Sequence, residues 1–365
     1  MSMAGGPWAP HVQAALAEVK ARAVSAEAEA RRRGAFALAS GRLGRWRPDE
    51  AWAALDAALA GHGRLTVNFH PDRRLADGRR VVDGLLVSGA YLSQFVTGIS
   101  AGSRTAYAGG ERDRWERALF GDAAMDLCPP EARPIYGGLD LLGHVDGACP
   151  RFGSCFFVLA PQVRARMTFS WGDTHLGPRD VGTQAARAGL VAAWVEALVE
   201  RGAALGRVAP DVGAWLDLGW VRDDVDASPG RALDGYVEAQ VHGGVALAED
   251  VTAVVVDPSF DGTSVGDALP RLAARYGFAL RRGPVRVVQP EAIPPGFRGP
   301  GLPPFARAVA DGYAGPSAGI DAAVIGRAAG VGAEAWAAFG GRDEVLQLLK
   351  QLWHAVVAFG RQEVT

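Results

Sequence analysis

The 365-residue chain has three cysteines, Cys128, Cys149 and Cys155, with no C-x-x-C spacing among them. So sparse and odd a set excludes a disulfide framework or a zinc ribbon, and a cytosolic fold is the expectation. No apolar run reaches the length of a membrane span, so no membrane partner is expected. The net charge is −2 and no block of like charge occurs, which gives no footing for nucleic acid. The opening residues M-S-M-A-G-G-P-W-A-P-H lack a basic stretch followed by an apolar one, so no secretory signal is expected. The P-loop spacing, the dinucleotide fingerprint after a strand, H-E-x-x-H and the G-x-S-x-G elbow are all missing.

Half of the composition, 49%, is hydrophobic, enough for a sizeable core. Residues 9–34 are rich in Ala, Glu and Arg and predict one long helix ending at Gly34. A second helix is predicted over 48–61, with Pro48 near its start and Gly61 at its end. The period then turns to alternation in R-L-T-V-N-F-H, where Leu65, Val67 and Phe69 share one face and Thr66, Asn68 and His70 the other. Further strands are predicted at 153–159, 166–171, 236–247, 251–257 and 284–289. One clear helix, 184–202, lies between them, and its Leu190, Val191, Trp194, Ala197 and Leu198 read as core packing. Residues 290–305 form a Pro/Gly-rich connector, followed by alanine-rich helices. Strands clustered between helical ends predict an α+β fold in three parts: a helical segment 1–62, a core 63–290, and a connector with helices 291–365.

Chemistry gathers at five places. In Y-V-E-A-Q-V-H, Tyr236, Glu238, Gln240 and His242 alternate with Val237, Ala239 and Val241, so one strand face carries an aromatic, an acid, an amide and an imidazole. A solvated face of an antiparallel sheet gives the same alternation without function. His70 ends a strand that Pro71 stops, and with Arg73 it aims beyond the sheet edge. Residues 91–110, with Tyr91, Thr97 and Ser100, are dense in hydroxyls and glycine and suit an anion-binding nest or a surface loop. Tyr136, before Gly137 and Gly138, reads as an aromatic plate or a packed turn residue. Asp173 and His175 form D-x-H, which with His70, Asp72 and His242 offers an alternative ligand set for a metal-dependent hydrolase.

The segments N-F-H-P-D-R, Y-x-S-Q-F-x-T-G-I-S, D-R-W-E-x-x-L-F-G, R-P-x-Y-G-x-L-x-L, P-R-F-G-S-C, F-x-x-G-D-x-H-x-G-P and E-A-Q-V-H-G together resemble an uncharacterised, mainly bacterial family, domain of unknown function 3626, over roughly residues 60–290. More distantly, the order His, then Tyr or Ser/Thr, then a late-strand Glu is similar to that of ADP-ribosyltransferases. That similarity implies a split, mostly antiparallel sheet flanked by N- and C-terminal helices, with NAD as substrate, no metal, and a macromolecular acceptor, a protein, or water. In those terms Glu238 stabilises the sugar cation, and Gln240 or His242 orients the acceptor or water. His70 and Arg73 hold ribose and phosphates, with Tyr91 or the pair Thr97 and Ser100 as the second motif. Tyr91 or Tyr136 stacks on nicotinamide. Such enzymes include toxins and effectors, which for this chain implies export by a non-classical route. The rival to both enzyme readings is a non-catalytic nucleotide- or protein-binding module.

Overall fold

The computed structural model describes residues 8–98, 105–217, 219, 231, 233–315 and 318–363. Its centre is an eight-stranded sheet built from β1 (Arg64–Phe69), β2 (Ile135–Asp140), β3 (Cys155–Leu159), β4 (Met167–Trp171), β5 (Val181–Thr183), β6 (Val237–Val241), β7 (Val251–Val256) and β8 (Ala279–Arg282). The spatial order is β8-β7-β3-β1-β2-β6-β4-β5. Every pair is antiparallel except β7 with β8, which the helix Ser264–Tyr276 connects as a parallel crossover demands. The fold is therefore α+β with a large, mostly antiparallel sheet. The split expected from the distant similarity is not seen, because β3, β1, β2 and β6 pair edge to edge without a gap.

The alternation predicted for β1 and β6 sets the two faces. Leu65, Val67 and Phe69 of β1 and Val237, Ala239 and Val241 of β6 are buried in the main core. They pack with helices α1 (Pro10–Ser25), α2 (Glu27–Ser40), α3 (Pro48–Gly61), α4 (Glu111–Phe120) and α5 (Ala188–Arg201) only in part: α2, α3 and α5 supply Leu38, Leu55 and Trp194 to that core, whereas α1 and α4 close a second cluster around Val19 and Phe120. The same main core continues into α6 (Leu302–Tyr313), α7 (Ala322–Gly330) and α8 (Arg342–Phe359), so one hydrophobic cluster runs through all three predicted parts of the chain.

Several predicted elements differ in the structure, each for a local reason. The long N-terminal helix is broken at Ala26, and Gly34 lies inside α2. A Cβ there would fall 2.2 Å from the Trp52 ring of α3, so this glycine permits helix contact and ends nothing. The segment around Tyr136, read as a turn, is the central strand β2: Gly137 has no Cβ because one would meet the Thr66 carbonyl oxygen at 2.3 Å. The strand at 236–247 stops at Val241, since Gly243 and Gly244 take φ of 80° and 78° and turn the chain. Val245–Ala246 then pairs with Ala90–Tyr91. Residues Val285–Val287 pair with Arg361–Glu363, outside the main sheet. The connector ends in α6, where proline falls in the first turn and its missing N–H costs nothing.

Gly34→Ala should lower stability by about 1–3 kcal/mol in urea unfolding, against the usual gain for Gly→Ala in a helix. In a Trp52→Ala background that penalty should disappear; a stabilising Gly34→Ala in the native background would show that the ring yields freely.

Candidate functional site

Glu238 sits in the middle of the sheet's second face. Its cross-strand neighbours are Gly138 on β2 and Ser170 on β4, and Gly138 is itself covered by Ala148 and Cys149. Beside it in the next row, Gln240 lies between Tyr136 and Thr168. The Glu238 Oε1 accepts from the Thr174 N–H at 3.0 Å, from the Thr174 hydroxyl, and from Gln240 Nε2 at 3.0 Å. Among the described residues these hydrogen bonds all fall on Oε1. Burial first, and then the Asp173 charge, push the Glu238 carboxyl up to about 7.

Gln240 Nε2 also reaches Ser170 Oγ at 2.9 Å, and Gln240 Oε1 accepts from the Thr168 hydroxyl at 2.8 Å. Thr168 Oγ1 lies 2.9 Å from His242 Nε2. A hydroxyl has one hydrogen, so with that hydrogen given to Gln240 the Thr168 oxygen accepts from His242, which fixes the Nε2–H tautomer. Burial lowers the His242 pKa to about 3, so this imidazole is neutral. The result is a one-way chain of donors, His242 to Thr168 to Gln240 to Glu238.

Above the strand face opens a cleft of about 1850 Å³. Glu238, Tyr136, Asp173, His175, His70, Asp72, Arg73, Tyr91 and Thr97 all line it, so the structure brings together most of the predicted site. Asp173 is held by the Arg151 guanidinium and by His175 Nδ1 at 2.6 Å. Burial raises its pKa, but His175 and Arg151 outweigh burial and keep it ionised. Tyr136 donates to Glu116 Oε1 at 3.0 Å, and Arg133 clamps the other oxygen at 3.0 Å. At the far end, His70 meets the Trp353 ring edge-on, with centroids 5.1 Å apart. Burial, Arg73 and His354 hold His70 well below its ordinary range. Arg73 lies 3.7 Å from Asp72, whose pKa burial raises. Tyr91 packs edge-on against Phe69 and Phe157, and Thr97 donates to the Ser93 carbonyl.

Three predicted residues of the strand face stand apart. Gln240 and His242 are buried beneath the cleft and act on it only through Glu238, so neither meets an acceptor or water there. Tyr236 is buried against Phe152 and Cys149. Ser100 lies outside the described residues. The alternative metal set is not assembled: among the described residues no three His, Cys, Asp or Glu side chains come together to hold an ion, and only Asp173 and His175 pair.

The sequence matches the family described as Protein of unknown function (DUF3626) over residues 64–359. The chain belongs to this family. Its matched region begins with β1 and ends with α8, so the C-terminal helices are part of the family's common chain, beyond the 60–290 span expected. The protein is also 29% identical over 186 residues to the Gene 2 protein of Mycobacterium phage L5, covering 47% of this chain and 59% of that protein. The Gene 2 protein of Mycobacterium phage D29 is 29% identical over 188 residues, covering 48% and 60%. The chain thus spans about three fifths of the length of these curated relatives. Among the described residues no helix is long and apolar enough to cross a membrane.

Reading the sequence missed Trp115 and Glu116, although D-R-W-E lay among the family-like segments, and Arg112 just before that segment; it also missed Arg151 of P-R-F-G-S-C. The C-terminal helices were expected, but not that α8 lines the cleft with Lys350 and Trp353.

Because Glu238 is raised from 4.5 to about 7 in the fold, its stabilising protonated form is complete below about 4.5 and is lost as pH rises through 7. Glu238→Gln should therefore exceed the native protein in stability at pH 8, by on the order of 3 kcal/mol. Urea unfolding should show that gap closing by pH 4.5; a gap of constant size would mean the carboxyl titrates normally.

Proposed function

We propose that the protein is an NAD-consuming enzyme of ADP-ribosyltransferase-like chemistry, transferring ADP-ribose to a macromolecular acceptor, a protein, or to water. One observation carries the reading. Glu238 is a buried carboxylate that lines a large cleft and that, among the described residues, accepts hydrogen bonds through Oε1 alone. Cleavage of the nicotinamide–ribose bond leaves its electron pair on nicotinamide and positive charge on the sugar. A carboxylate fixed beforehand by three donors, and bonded through its other oxygen to the ribose 2′-hydroxyl, stabilises that charge without reorganising. The acceptor or water then bonds to the same carbon and loses a proton.

The surroundings suit that substrate. His70 follows the end of β1, two places across the sheet from β6, in the chain order of the distant similarity, and Tyr91, Thr97 and Tyr136 line the same cleft. The kinship proposed is one of residue order and shared face, not of a split sheet. A toxin or effector role belongs to the same proposal.

Purified protein incubated with NAD should release nicotinamide, alone or with cell lysate as the source of acceptor. Release should rise with pH through about 7 as Glu238 ionises, should fall at least about a hundredfold in Glu238→Gln, and should be indifferent to chelator. Undiminished release by the variant would remove Glu238 from the chemistry.

A further inference from the structure

Lys20 and Lys350 are the two lysines in a chain whose Lys and Arg number 38. Lys20 is exposed on α1, whereas Lys350 projects from α8 into the cleft that holds Glu238. No carboxylate of the described residues pairs with the Lys350 ammonium. The charges it feels are mostly of its own sign: Arg151, Arg298 and Arg112, opposed by Asp173, with neutral His354 one turn along the same helix. Of these, Arg151 is already consumed by Asp173 and Asp234.

Arg112 is a second cation short of acceptors. Its guanidinium stacks on Trp115 at 4.5 Å and Tyr136 at 5.0 Å from the ring centroids, which fixes its plane. Its side chain is 12% exposed, yet among the described residues its buried Nε has no acceptor and the nearest carboxylate oxygen, on Glu116, is 3.9 Å away. Glu116 spends its two oxygens on Tyr136 and Arg133. A guanidinium desolvated to this degree, with so distant a counter-charge, is costly unless a ligand supplies the acceptor.

The geometry points to an anion subsite formed by Arg112 and Lys350 that takes the phosphate or diphosphate group of the cleft's ligand. Arg112 supplies a planar fork and Lys350 a point charge, the two complementary ways of holding phosphate oxygens. Arg73, expected to offset the diphosphate, lines the same cleft 3.7 Å from Asp72. The subsite also gives α8 a function, since the family's last helix closes the ligand site from the side opposite the sheet. For a nucleotide ligand the inference rests on the NAD reading; for the anion itself it does not.

The test uses the two lysines directly. Reductive ¹³C-methylation of the full chain gives two lysine resonances, assigned with Lys350→Gln, and Lys20 serves as the internal reference. Inorganic pyrophosphate should shift the Lys350 resonance and raise its titration midpoint while leaving Lys20 in place. By calorimetry, Lys350→Gln and Arg112→Gln should each weaken pyrophosphate binding about tenfold or more. A Lys350 resonance blind to saturating pyrophosphate, or unchanged binding in both variants, overturns the subsite. ADP-ribose separates the two readings: pyrophosphate bound through these residues with ADP-ribose rejected keeps the subsite and removes the dinucleotide.

Discussion

The site depends on a carboxylate buried in the middle of a sheet. Water would solvate Glu238 far better than this interior does, and the fold offsets that loss by directing three donors at one of its oxygens. Everything near it serves that arrangement. Gly138 and Ser170 keep the flanking positions small, Thr174 is delivered by the loop after β4, and Gln240 is locked by Thr168 and His242 so that its amide nitrogen, not its oxygen, faces the acid. Reversing that amide would set oxygen against oxygen. The buried imidazole of His242 thus matters through orientation, three hydrogen bonds from the cleft.

The sheet separates labour between its faces. One face is continuous with the main core, and its aliphatic rows fix the strand register, since a slip of one residue would carry Glu238 into that core. The other face carries polar rows, on which α4 packs through Phe120 against His242 and through Trp115 and Glu116 against Tyr136, and α4 and α8 both line the cleft.

Much of this was legible from alternation. Val237, Ala239 and Val241 against Glu238, Gln240 and His242 gave the faces of β6, and Leu65, Val67 and Phe69 gave those of β1. Local pattern failed where a tertiary contact decided the residue. The pair Gly137 and Gly138 looks like a turn because glycine usually is one, yet here both are required by close packing, against Thr66 and against Cys149 and Ala148. Gly34 misled for the same reason. Arg112 and Lys350 were invisible because a cation on a helix is ordinarily solvated, and only the assembled cleft shows that both line it and that, among the described residues, no carboxylate pairs closely with either. Alternation likewise cannot tell a side chain that reaches a cleft from one roofed over, which is why Gln240 and His242 were expected to meet an acceptor or water beside Glu238.

The wall formed by α8 has a consequence for the timing of assembly. His70 and Trp353, which meet edge-on at the far end of the cleft, come from opposite ends of the family's common region, just after its first strand and within its last helix. During synthesis on a ribosome the whole sheet, with Glu238 in place, emerges before the helix that completes its enclosure. A nascent chain therefore presents the strands of the cleft before the wall that α8 supplies has been made.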